Sequence, residues 1–442
     1  MLLTSSAYFL FLAALFFLFW PVARWRAPGL ALLLFANYFF YAKWDLFYLA
    51  LIPSCSVIDF FLARGMERSE SKPVRRFLLS CSLGLNLGLL ITFKYLPYFP
   101  FPVGLSFYTF QALSYTIDVY RKDTTATDSI LGYLTSVAFF PTILAGPITR
   151  PADLLPQFEK ARMLLAQDGG RALFLIGLGM AKKYLIADYL ADNLVNRVFD
   201  FPNLYSGFET LVAVYAYAFQ LYYDFSGYTD IAIGSAMLLG LKLSPNFNAP
   251  YLAINLSDFW RRWHITLSEW LRDYIFFSIP GLKKKWVQYV ASVLTMLVGG
   301  VWHGGTINFV IWGALHGFGL AGFRAWQQAK IKLPNWVGTL ITIHFVCFAW
   351  IFFRAATHDG AFGVLNRIGS FTFSAANISL PIAVVLSVAA LAHVMPLKWF
   401  ERGRDAFAAS PFYVQAAALM ILMISLQYLA ATGAAPFIYA RF

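Results

Sequence analysis

LLTSSAYFLFLAALFFLFW, residues 2–20, contains no charged side chain and is built mostly of Leu, Phe and Ala. Coiled at about 1.5 Å per residue, such a run reaches across a hydrocarbon core of roughly 30 Å. Further apolar runs occupy Leu30–Tyr41, Leu46–Leu62, Phe77–Phe93, Ile130–Ile148, Ala172–Ile186 and Leu211–Phe225. Beyond them come Tyr289–Trp302, Ile307–Phe323, Trp336–Phe353, Ile378–Met395 and Phe412–Ala431. Over the 442 residues, 60% are hydrophobic and 13% charged, against about 25% charged in soluble domains. These runs predict an all-α integral membrane protein with about eleven transmembrane helices. A membrane barrel would instead show short alternating segments.

The first run has no basic residue before it and no clean small-x-small site after it, so it reads as a retained helix rather than a signal peptide. Cys55, Cys81 and Cys347 lie far apart in apolar segments and are expected to be buried and inert. The net charge of +12 does not point to nucleic acid. Basic residues collect in loops, at Arg24 and Arg26, Arg64–Arg76, Arg121-Lys122 and Lys283–Lys285, as cytoplasmic loops beside anionic lipid do. If the first two loops are cytoplasmic, two crossings separate them and the N-terminus starts outside.

No repeat, low-complexity block or long linker is visible, so residues 1–442 read as a single membrane-embedded domain. Two segments break the span pattern. Pro97–Leu105 carries three prolines and a glycine, which stop a helix. Asn246–Lys285 is polar enough to leave the membrane yet rich in Trp and Tyr. With Asn255 or Ser257 as cap, a helix from Asp258 to Phe277 would place Trp260, Trp263, His264, Leu267, Trp270, Leu271 and Tyr274 on one face. Arg261, Arg262, Glu269, Arg272 and Asp273 would fall largely on the other. That pattern suits a helix lying in the membrane surface, although it leaves His264 on the aromatic side unexplained.

Among six histidines, His344, His358 and His393 sit alone near span ends and read as structural. His316 could bond a neighbouring helix. His303 stands in Gly299-Gly300-Val301-Trp302-His303-Gly304-Gly305, where glycines let a backbone or a ligand approach the imidazole. Polar groups at membrane depth are costly and are functional candidates, though a helix-packing glycine cluster with an incidental histidine is the rival account. Asp224 and Asp230 frame a second polar island, Gln220–Asp230, which includes Ser226 and overlaps the end of the apolar run Leu211–Phe225. Pairing of Asp224 with Arg261 or Arg262 is as consistent with the sequence as a catalytic role. No His-Glu-x-x-His and no closely spaced histidine pair occurs, so no metal site is expected.

Several of these motifs resemble one family. Pro102-Val103-Gly104-Leu105-Ser106-Phe107-Tyr108-Thr109-Phe110-Gln111, Phe139-Phe140-Pro141 with Ala145-Gly146-Pro147-Ile148, and Asp224–Asp230 occur in its order. They are followed by Asn246-Phe247-Asn248-Ala249-Pro250-Tyr251, Phe259-Trp260-Arg261-Arg262-Trp263-His264-Ile265-Thr266-Leu267-Ser268 and Trp302-His303-Gly304. The chain resembles the membrane-bound O-acyltransferases over roughly residues 80 to 325, and within them the alginate O-acetylation branch. Pro436-Phe437-Ile438-Tyr439 also looks alginate-type. Ser278-Ile279-Pro280-Gly281 and three lysines replace the Gly-Gly-x-Arg loop often found there.

The resemblance implies a helical bundle with interfacial and re-entrant helices around a central tunnel. It implies transfer of an acyl group, acetyl above all, from a cytosolic thioester such as acetyl-CoA to a hydroxyl acceptor beyond the membrane, with no bound cofactor. His303 matches the family's catalytic histidine and His264 its second polar position. Asp224, Ser226, Trp260, Arg261, Trp263 and Trp302 are the accompanying candidates for substrate contact or tunnel lining. A neutral imidazole suits removal of a proton from the attacking hydroxyl. The implied setting is the bacterial cytoplasmic membrane, with lipid around the bundle and with an extracytoplasmic acetyltransferase partner and a glycan acceptor. D-alanyl transfer to teichoic-acid-type acceptors is the alternative, and a transporter or flippase is the alternative from another class.

Overall fold

Apolar runs hide their backbone polar groups by coiling, and the computed structural model is helical, with no strand among the described residues. It describes residues 2–43, 46–96, 98, 100–160, 163–330 and 332–429. The Pro436–Tyr439 motif lies outside them. Two compact units form. One comprises the described residues up to Ile176 together with Tyr228–Ser244, and the other comprises Gly177–Gly227 and the described residues from Pro245 on.

In the first unit, Ser5 caps the helix Ser6–Val22 by accepting from the Tyr8 N–H, and the Tyr8 hydroxyl donates to Ser235 at 2.7 Å. The helices Leu51–Arg68, Lys72–Tyr95 and Leu105–Arg121 are tied by a buried polar ladder. Asp59 accepts from Ser82 at 2.6 Å and from Asn86 at 2.8 Å, and the Ser82 hydroxyl also reaches Thr116. Helices in lipid gain little from apolar contact with each other, so such bonds and close packing hold them. The buried Arg75 guanidinium donates to the Met66, Val119 and Tyr120 carbonyls, closing the C-terminal ends of two of these helices. Gly104, at φ +85°, starts the helix Leu105–Arg121 where a Cβ would press into the Ile143 carbonyl.

In the second unit, Ser206-Gly207-Phe208-Glu209 forms a capping box at the head of the helix Gly207–Leu238. The Ser206 N–H donates to Glu209, and the Glu209 N–H donates to the Ser206 hydroxyl. The helices Lys285–His303 and Ile307–Gln328 pack backbone to backbone. A Cβ on Gly313 would lie 2.6 Å from the Met296 carbonyl oxygen, and one on Gly300 would strike the Phe309 carbonyl. Among the described residues two helices, Lys72–Tyr95 and Asn335–Arg354, are by themselves long and apolar enough to cross a bilayer. Leu380–Val394 and Leu397–Ala409 pass together but meet at a 95° bend.

Several apolar runs are interrupted. The run 130–148 breaks between Ile130–Val137 and Phe140–Ile143, where Pro141 removes a donor. The run 172–186 passes into a wide π-helical turn at Lys182–Asp188. The continuous surface helix expected over residues 258–277 is also corrected. Asn255 does cap a helix, accepting from the Asp258 N–H, but that helix ends at Trp260, and another spans Ile265–Trp270. His264 sits between them in the left-handed region. The expected sidedness persists across the break: the aromatic residues and His264 are buried, while Arg261 and Arg272 are exposed. Cys81 is exposed on its helix rather than buried, unlike Cys55 and Cys347.

Candidate active site

His264 is fully buried, at φ 41° and ψ 57°. A non-glycine residue held there is strained, and such strain gathers at functional positions. Asn246 holds the turn. Its backbone carbonyl accepts from the Ile265 N–H, and Asn248 and Arg262 are bonded N–H to carbonyl. Asn246 Oδ1 accepts from the Thr266 hydroxyl at 2.7 Å and from the Thr266 N–H at 3.4 Å, which identifies it as the amide oxygen. His264 Nδ1, 3.3 Å from the same atom, must therefore donate to it. The basic lone pair then lies on Nε2. The Phe225 ring packs edge-on at 4.7 Å. Asn246 belongs to one of the family-like motifs, and its signal in the sequence is an amide beside Phe247 and Tyr251.

Burial pushes the His264 imidazole down to about 3. Because the unfolded chain takes up a proton near 6.5 that the folded site excludes, stability is full above that pH and falls as pH drops toward 3. The slope for one such group is about 1.4 kcal/mol per pH unit. In detergent, the melting temperature is expected to fall over this window, and less steeply for His264→Gln. Identical pH profiles for the two proteins would contradict the buried neutral imidazole.

His303 closes the helix Lys285–His303 and is buried in an aromatic box. The rings of Trp302, Trp312 and Phe353 lie 4.8, 5.1 and 5.0 Å away, and Phe309 stacks at 6.3 Å. Gly300 serves helix packing, whereas a Cβ on Gly304 would overlap the Phe309 ring that flanks the imidazole.

The two histidines are joined through rings. Trp263, beside His264, packs on Trp350 at 5.1 Å; Trp350 stacks on Trp312 at 5.8 Å, and Trp312 meets His303. Trp260 donates its indole N–H to His316 Nδ1 at 3.3 Å, so His316 does bond a neighbouring helix. Trp260 also touches Trp312 and forms part of the wall of a cavity of about 700 Å³. Arg261, Arg272, Arg324, Glu269 and Ser268 line the same cavity, and neither His264 nor His303 does. Arg324 lies 5.0 Å over the Phe276 ring.

Asp224 is placed apart from Arg261 and Arg262, which instead pair with Asp258. Its partner is Lys183, at 2.6 Å, which also binds Asp188 at 2.8 Å. In an α-helix residues 183 and 188 would lie about 140° apart around the axis. The i→i+5 ladder of the π-helical turn brings them onto one face. Lys183 and Asp188 were missed; the signal was a lysine inside an apolar run, which demands a buried counter-charge. Ser226 is buried two residues beyond Asp224. His344 bonds the Leu340 carbonyl, and His393 Nε2 accepts from the Tyr251 N–H.

Relatives match the chain over long stretches. A peptidoglycan O-acetyltransferase of Helicobacter pylori is 34% identical over 76% of this chain and 72% of its own. A Pseudomonas putida protein named "Probable alginate O-acetylase AlgI" is 34% identical over 99% of both chains. A teichoic acid D-alanyltransferase of Bacillus subtilis is 32% identical over 57% of this chain and 68% of its own. Residues 121–357, more than half of the chain and inclusive of both histidines and the cavity, match a family described as membrane-bound O-acyltransferase. The chain is thus a membrane O-acyltransferase and belongs to the membrane-bound O-acyltransferase family.

Proposed function

We propose that the protein takes an acetyl group from a cytosolic thioester and passes it across the bacterial cytoplasmic membrane for O-acetylation of an extracytoplasmic polysaccharide. The observation that carries this reading is the cavity with Arg261, Arg272 and Arg324 in its wall, adjoining the aromatic cluster that holds both histidines. Guanidinium groups bind phosphate in a fork, which suits coenzyme A or another phosphopantetheine thioester as donor. The 34% identity, over 99% of both chains, to a protein named as a probable alginate O-acetylase supports an acetyl group and a glycan. In this reading about eleven crossings and re-entrant helices surround a tunnel as one domain, with the N-terminus outside.

In the transfer, a neutral imidazole of His303 or His264 accepts the proton of the attacking hydroxyl. The hydroxyl oxygen bonds to the thioester carbonyl carbon, the carbon–sulfur bond breaks, and the departing thiolate takes the proton back. The second imidazole orients the acceptor or donates to the developing oxyanion. Trp260, Trp263 and Trp302 shape the path, and reaching His303 requires the rings around it to part. D-alanyl transfer is the second reading, supported by a relative that covers less of the chain. A transporter is disfavoured by membership of an acyltransferase family.

The described loops are short, and none offers a surface for a long glycan, so an extracytoplasmic acetyltransferase is expected to complete the reaction. Vesicles holding the purified protein, with acetyl-CoA inside and glycan outside, test this. Acetyl release to water or a small acceptor, converted to glycan acetylation by the added partner, is the expected result. Efficient glycan acetylation by the protein alone would show the partner unnecessary. Transfer from a D-alanyl carrier and none from acetyl-CoA would favour the second reading.

A further inference from the structure

An apolar groove of about 380 Å³ lies between the later turns of the helix Ile307–Gln328, the first turns of Asn335–Arg354 and the segment Ile254–Leu256. Three glycines line it, for different reasons. A Cβ on Gly319 would press on Leu256 and Phe345, and one on Gly338 would strike the Ile254 carbonyl, so these two let the walls approach. Gly322 is different: a Cβ there would meet nothing within 4 Å. Glycine inside a helix is destabilising relative to alanine, and no neighbouring protein atom requires it at this position. The space beside it is kept open.

The helix Asn335–Arg354 is, among the described residues, one of two long and apolar enough to span a bilayer, and a span along it gives the depth of the groove. From Asn335 to Phe345 it rises about 15 Å, half of a hydrocarbon core of roughly 30 Å. One leaflet is therefore the length of the groove. Trp326 and Trp336 are partly exposed at its end, where indoles favour the headgroup level. Lys330 and Lys332 are exposed in the turn between the two helices. No Asp or Glu occurs between Asp273 and Asp359, so no acidic neighbour in sequence answers these lysines.

We infer that the groove holds an acyl chain of one membrane phospholipid, with an anionic headgroup seated on Lys330 and Lys332. The bound lipid also braces Ile254–Leu256, the segment that leads into Trp260 and His264. This site is separate from the proposed donor cavity and does not depend on the acyl-transfer reading.

Native mass spectrometry tests it on the full-length protein, extracted in mild detergent and supplied with micelles of phosphatidylglycerol, phosphatidylethanolamine or phosphatidylcholine. The wild type is expected to retain one phosphatidylglycerol against delipidation. Gly322→Leu, which fills open space, is expected to lose that retention while eluting as a monodisperse species in gel filtration. Gly322→Ala, with one methyl group, is expected to keep it. A basic residue beside anionic lipid is worth about fivefold in binding, so Lys330→Gln/Lys332→Gln is expected to lose about 25-fold of its preference for phosphatidylglycerol over phosphatidylcholine. No lipid retained by the wild type, or an unchanged preference in the double lysine variant, would overturn the inference. Should Gly322→Leu aggregate, the double lysine variant decides alone.

Discussion

Replacing His303 by alanine is expected to lower acyl transfer by about 10²–10⁴-fold, the usual cost of losing a general base. The imidazole is boxed by Trp302, Phe309, Trp312 and Phe353, so truncation also opens a void, and part of any loss could come from loosened packing. His303→Gln separates the two effects. It fills much of the space and can still hydrogen-bond, but it cannot accept a proton at neutral pH. Both variants are expected to express and to be nearly inactive, with Gln closer to the wild type in melting temperature. The measurement is acetyl release per folded molecule, with folded protein quantified by gel filtration. A His303→Gln enzyme of full activity would remove His303 from the chemistry and leave it a packing residue.

Lys183→Met is expected to destabilise the protein by about 3–5 kcal/mol, the range for removing one partner from a buried ion pair. Lys183 is buried against Asp188 and Asp224, and its loss leaves two carboxylates in an apolar interior. A fully neutral version, Lys183→Met with Asp188→Asn and Asp224→Asn, is expected to recover most of that stability, because the buried charge goes with the cation. The triple variant also decides the role of Asp224. If the cluster is structural, the variant folds and transfers acetyl groups; if Asp224 acts on substrate, it folds and is inactive. Thermal unfolding in detergent together with the vesicle assay reads both. A single Lys183→Met variant as stable as the wild type would contradict the placement of the pair.

The helical character of the chain and the buried sides of the motif segment were legible in the sequence, because both follow from local spacing. Trp260, Trp263, Leu267, Trp270 and Tyr274 recur at helical intervals, and all are buried. Asn255 was readable as a cap because capping depends on a few consecutive residues. The break at His264 was not readable. It depends on Asn246, eighteen positions earlier, whose amide and carbonyl hold the turn and replace the helical bonds.

Burial of the helix Leu105–Arg121 was equally hidden. Ser106, Thr109, Gln111, Ser114 and Thr116 keep it out of any count of apolar runs, yet each is buried there. Several of them bond to other helices or to the backbone one turn back, as when Ser82 reaches Thr116 and Ser114 bonds the Gln111 carbonyl. The sequence determined that this chain coils, that its helices belong in lipid, and that His264 and His303 stand in costly surroundings. Tertiary structure decided which charge answers Asp224, which nitrogen of His264 holds the proton, and which rings enclose His303. Those depend on contacts between residues tens of positions apart, and periodicity within one segment carries no information about them.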